Sequence, residues 1–171
     1  MNILILGSGI VGANLANKLS EQGKSVFLLD DDASELKRLS ERYDIKTIFE
    51  DPLNPTFYSN FKTKIDYFIA VTKSDEKNII TCKFAKEFLK VDKTIARIRN
   101  QNLISDENKS LLIESNTFLD HIISPEWEFA NNIFEKIHMP GAFFSESLIS
   151  DNCLLIGMQS SNLFKDHTLE E

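Results

Sequence analysis

An apolar run, Ile3-Leu4-Ile5-Leu6, passes directly into Gly7-Ser8-Gly9-Ile10-Val11-Gly12, and a second apolar run, Val26-Phe27-Leu28-Leu29, ends on Asp30. Each position in that arrangement has a separate physical task. Gly7 permits a sharp turn off a strand, Gly9 lets the backbone approach a pyrophosphate, and Gly12 lets the following helix pack close to the sheet. The start of that helix, with Ser8, Ile10 and Val11 around it, offers unpaired N–H groups and a positive dipole end to phosphates. Asp30 stands where a carboxylate accepts hydrogen bonds from ribose hydroxyls. Strand, glycine turn, helix, strand and acid in this order predict a nucleotide-binding Rossmann unit.

The rest of the chain repeats the alternation. Val11, Leu15 and Leu19 share one helix stripe, and Gly23 stops that helix before the second strand. Ser34 is the expected N-cap of the next helix, which carries Leu36, Leu39 and Tyr43. A short third strand is expected at 46–49, then a weak helix around 57–61 behind Pro52 and Pro55. A fourth strand is expected at 67–71, then a helix over 79–89, a fifth strand at 94–98, a polar helix over 105–113, and a sixth strand at 121–123. Pro125 opens a last helix bearing Trp127, Ala130, Ile133, Phe134 and Ile137. Strands joined by helical crossovers pair in parallel with right-handed connections. The fold class is therefore α/β, a doubly wound parallel sheet of about six strands, whose ligand crevice lies at the carboxyl ends near the switch point. Met139-Pro140-Gly141 punctuates the pattern. Residues 1–140 are expected to form the nucleotide-binding domain. Residues 141–171, with the run Cys153-Leu154-Leu155-Ile156, are expected to form a linker and the start of a small C-terminal subdomain that the chain cuts short, or an arm for a partner chain.

Several side chains fall at that crevice. A carboxylate at Asp30 favours a free 2′-hydroxyl and repels a 2′-phosphate, which favours NAD over NADP; its alternative is a cap on the turn into Asp31-Asp32. Thr72 and Lys73 come after the fourth strand, where a hydroxyl and an ammonium reach ribose or phosphate; their alternative is a solvated loop. Asp75 and Glu76 read as caps of the following helix, with Asn78 one turn in. Arg97 and Arg99 share a face of the fifth strand with Ile95 and call for anionic partners. Arg97 is assigned to the ligand and Arg99 to a structural pair or a subunit contact. Trp127, Phe134 and Ile137 are expected in the core, leaving Phe129 and Ile133 for another subunit.

The charge balance, 19 basic against 26 acidic residues for a net −7, argues against a nucleic-acid partner. No stretch approaches the ~20 apolar residues of a membrane span, and Ile3–Leu6 is too short for a signal peptide. Cys82 and Cys153 fit no metal or redox spacing, and His121, His138 and His167 are dispersed. A cytoplasmic location is expected.

Ala70-Val71-Thr72-Lys73-Ser74-Asp75-Glu76-Lys77-Asn78, Ile95-Ala96-Arg97-Ile98-Arg99, His121-Ile122-Ile123-Ser124-Pro125-Glu126 and Pro140-Gly141-Ala142, together with Gly7–Gly12 and Asp30, resemble the regulator-of-potassium-conductance (KTN) domain of TrkA-type potassium uptake subunits. The resemblance covers about residues 1–145. It implies a non-catalytic subunit that binds NAD(H) or an adenine nucleotide (ATP or ADP). It further implies that the subunit gates a Trk-type membrane potassium transporter and assembles as a dimer or tetramer at the inner face of the membrane. It also places Asp51 near the adenosine. There the chain departs from the family: Glu50 stands where glycine is common, adding bulk and negative charge. Two other readings remain. A small NAD-dependent oxidoreductase would need a substrate pocket and a positioned acid or base, for which little chain is left after residue 140. A soluble regulatory domain of a potassium channel or antiporter differs in having a fused membrane segment, and Met1 at the first strand favours a separate subunit.

Overall fold

In the computed structural model, residues 1–104, 118–138, 142–147 and 154–158 are described. The expected helix over 105–113, Met139-Pro140-Gly141, Cys153 and His167 lie outside them. The chain divides into two compact units, Met1–Ser124 and Pro125–Glu171.

The first unit alternates strand and helix. β1 (Asn2–Leu6) leads to α1 (Ile10–Glu21), β2 (Ser25–Asp30), α2 (Ala33–Arg42), β3 (Lys46–Phe49) and α3 (Pro55–Asn60). Next come β4 (Tyr67–Ala70), α4 (Asp75–Phe84), β5 (Lys93–Arg97), the single turn α5 (Gln101–Ile104) and β6 (His121–Ile123). α4 continues as a π-helical turn over Ala85–Leu89, which ends on Lys90 in the left-handed region at φ 53°. The six strands are all parallel in the order β3-β2-β1-β4-β5-β6. The chain thus runs outward from β1 to one edge, returns, and runs to the other, so the switch point lies between β1 and β4.

The continuous apolar runs of β1 and β2 fit that placement, since a central parallel strand is covered on both faces. Alternate residues serve opposite cores. Leu4, Leu6, Phe27, Leu29, Phe68 and Ala70 pack with Tyr58 of α3 and with Cys82 and Ala85 of α4 and its extension. Ile3, Ile5, Val26, Leu28 and Ile69 pack with Ala13 and Ala16 of α1 and Leu36 and Leu39 of α2. On the first face, α3 and the residue that closes it contribute aromatic contacts: Tyr58 lies 5.5 Å from Phe84, and Phe61 lies edge-on to Phe27 at 5.7 Å.

The second unit holds α6 (Pro125–His138) and an antiparallel pair, β7 (Ala142–Ser147) and β8 (Leu154–Met158). On α6 the expectation of core residues fails. Trp127, Phe134 and Ile137 are 52%, 60% and 71% exposed, and Phe129 and Ile133 are 68% and 43% exposed. Helical spacing marks which residues share a face. It does not say whether the chain's own core or another surface covers that face.

Candidate functional site

The carboxyl end of β1 meets the switch point, and the glycine turn is built there. Gly7 takes φ +109°, and its N–H donates to the Leu29 carbonyl at 3.0 Å. A Cβ at residue 7 would sit 3.2 Å from the Thr72 nitrogen, so the turn is wedged against the end of β4. At Gly12 a Cβ would fall 1.8 Å from the Gly7 carbonyl oxygen, a separation no side chain survives. The absence of that carbon is what lets α1 rest on the turn. Gly9 differs: a Cβ there would meet nothing within 4 Å, so this backbone faces open space.

Gly9 is also the N-cap of α1, with no side chain bonded to the helix's first N–H groups and no acid in its first turn. α2, α3 and α4 are capped by Asp32, Asn54 and Ser74 in turn. The first N–H groups of α1, at the positive end of its dipole, are therefore capped by no side chain. Ile10 is 84% exposed and Val11 37% exposed beside those donors, giving the mouth an apolar rim.

Asp30 is tied directly to this turn. Its Oδ2 accepts from the buried Ser8 backbone N–H at 2.5 Å, and its Oδ1 accepts from Asp32 N–H at 3.0 Å. The carboxylate thus stands beside the glycine backbone, half-buried at the end of β2. Asp32, not Ser34, caps α2: its Oδ1 accepts from Ser34 N–H at 3.0 Å and Glu35 N–H at 3.1 Å. The Ser34 hydroxyl bond and those backbone bonds hold its carboxyl below the usual range. Either residue type satisfies an N-cap, and here the earlier one reaches the donors. Asp51 lies past β3, where its Oδ1 accepts from Leu53 N–H at 2.9 Å in a local turn. The Glu50 carboxylate accepts from Asp51 N–H at 3.0 Å and lines a shallow pocket with Asn54, Phe57 and Phe61 of the α3 region.

Beyond β4, Asn78 organises the floor. It is fully buried, and its Oδ1 accepts from the Thr72 N–H at 3.0 Å and the Thr72 hydroxyl at 2.7 Å. Its Nδ2 donates to the carbonyls of Thr72 at 3.2 Å and Arg97 at 2.8 Å. One amide thereby joins the carboxyl ends of β4 and β5. The Thr72 hydroxyl is engaged in this network, whereas Lys73 is exposed. Capping of α4 falls to Ser74, whose Oγ accepts from Lys77 N–H at 3.1 Å and donates to Glu76 at 2.8 Å. Asp75 does not cap. Its Oδ2 accepts from the N–H groups of Arg99 and Asn100 at 3.0 and 2.8 Å, and Oδ1 lies 3.9 Å from the Arg99 guanidinium. Arg99 is therefore in a structural pair, and its guanidinium also donates to the Lys73 carbonyl. Arg97 is half-buried at the end of β5.

The turn at Gly7–Gly12, Asp30 and the end of β4 are thus one continuous assembly, with Arg97 one strand further along and Asp51 two strands away in the other direction. Sequence reasoning undervalued Asn78, whose signal was an amide one turn into a helix where the crevice-facing strands end. The sequence does hold one Tyr-x-x-x-Lys spacing of the kind a small dehydrogenase would use, Tyr58 and Lys62. Tyr58 is fully buried, its hydroxyl donates to the Pro52 carbonyl at 2.9 Å, and burial pushes its phenol far up. It presents no acid to the crevice.

Comparison with known proteins adds a family. The model of the TrkA-N domain matches residues 3–125. A Trk system potassium uptake protein TrkA of Haemophilus influenzae is 34% identical over 143 residues, which is 83% of this chain and 31% of that protein. The chain thus spans about a third of the length of the curated relatives it matches. Among solved structures, the TrkA-N domain of an Escherichia coli inner membrane protein superposes with a TM-score of 0.65 at 16% identity, covering 78% of this chain and 94% of that one. The GsuK channel bound to NAD superposes with a TM-score of 0.65 at 15% identity, over 86% of this chain and 25% of that one. The same channel bound to ADP gives 0.58 at 20% identity, over 80% and 33%. At these identities the structures show a shared fold.

Proposed function

Because the chain belongs to the TrkA-N domain family, we propose that it is the nucleotide-binding regulatory unit of a potassium uptake system. It takes NAD(H) or an adenine nucleotide (ATP or ADP) in the crevice and biases a Trk-type membrane transporter. The observation that carries this reading is α1: its first donors have no side-chain cap, and they open at the switch point beside a carboxylate fixed on the same turn. Phosphates fit the open backbone at Gly9, a ribose fits Asp30, and the apolar rim of Ile10 and Val11 covers the bound diphosphate. Thr72, Lys73 and Arg97 line the far side, Arg97 as a guanidinium for phosphate, and Asp51 lies toward the adenosine. The names of the relatives, TrkA potassium uptake proteins and a channel bound to NAD or ADP, support the same assignment.

The role is regulatory, not catalytic. A ligand moves a partner only through unequal affinity for two conformations. We further propose that residues 1–140 act as the nucleotide-binding domain and that residues 141–171 form a linker and part of a small C-terminal subdomain. The unit self-associates as a dimer or tetramer through the exposed face of α6 and works at the cytoplasmic side of the membrane. Among the described residues, no helix is long and apolar enough to cross a membrane.

Calorimetric titration of the chain with NADH, NAD, ATP and ADP tests the reading, with NADPH as the comparison. Saturable binding of NADH or ATP is expected, with NADPH much weaker because its 2′-phosphate meets Asp30. Asp30→Ala should weaken NADH about tenfold or more, as the loss of charge-assisted hydrogen bonds does. Equal binding by Asp30→Ala and the parent would remove Asp30 from the site, and no binding of any nucleotide would remove the site.

A further inference from the structure

Lys77 Nζ lies 3.2 Å from Asp31 Oδ2. The two ends of this ion pair belong to opposite halves of the doubly wound sheet: Asp31 comes after β2, and Lys77 stands in the first turn of α4, after β4. β1 lies between β2 and β4, and its glycine turn touches Asp30 on one side and the end of β4 on the other. A link from Asp31 to Lys77 therefore passes over the turn, across the mouth of the proposed phosphate position.

The backbone of Lys77 is held by α4, and its ammonium only by the bridge to Asp31. Its N–H is held by Ser74 Oγ at 3.1 Å, and its carbonyl accepts from the Thr81 hydroxyl at 2.7 Å. The ammonium is paired with Asp31, and the two side chains are 28% and 56% exposed. An exposed pair of this kind is weak, so a multiply charged anion arriving in the crevice competes for the lysine.

Resting on the nucleotide reading above, we propose that Lys77 is a phosphate ligand held in reserve by Asp31. Binding of a nucleoside polyphosphate breaks the Asp31–Lys77 bridge and transfers the ammonium to the ligand's phosphates. Asp31 then acts as a built-in competitor that sets the affinity for polyphosphate, and the two halves of the sheet are linked by this bridge only when that ligand is absent. Lys77 thus joins the binding residues, and Asp31 becomes a specificity residue distinct from the ribose-binding Asp30.

The test is a double-variant cycle read by ATP calorimetry on the parent, Asp31→Asn, Lys77→Gln and the pair combined, each checked for an unchanged thermal melt. Asp31→Asn should tighten ATP about two- to fivefold, the scale of one exposed ion pair. Lys77→Gln should weaken it about tenfold, and in the Lys77→Gln background Asp31→Asn should change nothing. Equal tightening with and without Lys77 would mean that Asp31 merely repels the ligand, and would overturn the proposal. So would an ATP affinity indifferent to Lys77→Gln, with the nucleotide reading left standing. Failure of the parent and of Asp31→Asn alike to bind ATP would overturn the proposal, and failure to bind NADH as well would overturn the nucleotide reading with it.

Discussion

The two ends of the parallel sheet are built to different rules. At the amino end, side chains and carbonyls stitch neighbouring strand starts together. Asp66 accepts from Asn2 N–H at 2.7 Å through its side chain, and its carbonyl takes the N–H groups of Asp92 and Lys93. Asp120 lies 2.9 Å from Lys86 and 3.3 Å from Lys93, and accepts from the Thr94 N–H at 2.7 Å and hydroxyl at 3.0 Å. At the carboxyl end, α1 begins with uncapped donors, Ile10 and Val11 stand in water, and the Lys77–Asp31 bridge is exposed. An end that serves only stability satisfies its own polar groups. On the nucleotide reading, the carboxyl end leaves some of its donors open for the ligand, and Gly12, Asn78 and Asp75 secure the fold around them.

The largest effect should come from breaking that security. Gly12→Ala places a methyl 1.8 Å from the Gly7 oxygen, a backbone atom that cannot swing aside, so helix and turn must separate. Overpacking of this kind costs about 3 kcal/mol. Thermal unfolding should show a much lower Tm, with nucleotide binding lost alongside. A melt like the parent's would mean that α1 does not rest on the turn as described.

At the other end, Asp120→Asn should cost less and reveal itself through pH. Burial works to raise the Asp120 pKa, but the bonds from Lys86 and Thr94 outweigh it and bring it to about 2. A carboxylate with a depressed folded pKa contributes stability that is present above its unfolded value near 3.8 and lost as pH falls toward 2. That contribution is about 2 kcal/mol. Asp120→Asn should therefore lower stability at pH 7 and flatten the decline between pH 4 and 2, without altering nucleotide affinity at neutral pH. An unchanged acid limb in denaturant titrations would show that the pair adds nothing.

The same contrast explains what the sequence made legible. The succession of strands and helices along the chain, the turn at Gly7 and the close approach at Gly12 were readable because each rests on a local rule: an apolar run, a residue type, a spacing. β3 and β6 fall at their expected residues, 46–49 and 121–123. The caps were harder. Asp32 and Ser34, or Ser74, Asp75 and Glu76, are all competent N-terminal residues, and only geometry decides which reaches the donors. The bonds of Asn78 to Arg97 and of Lys77 to Asp31 join segments far apart in sequence, so no window along the chain contains them. The face of α6 was misjudged for a related reason, because helical periodicity does not say which surface will cover it.

The smallest change in stability should accompany the sharpest loss of function. Gly9→Ala adds a methyl where nothing lies within 4 Å, at φ −62° and ψ −178°, a backbone conformation alanine adopts freely. Alanine is a poorer N-cap than glycine, so the fold should lose only about 0.5 kcal/mol. On the nucleotide reading, that methyl enters the open space a phosphate would take. The expected result is a melt within a few degrees of the parent's and NADH affinity lower by about a hundredfold, since a blocked phosphate loses several charge-assisted bonds at once. Tight NADH binding by Gly9→Ala would show that phosphate does not approach the helix there. The openness of the carboxyl end would then need another reason. Loss of binding without loss of fold would tie that openness to the ligand, and would separate the residues that hold this crevice together from those that leave it free.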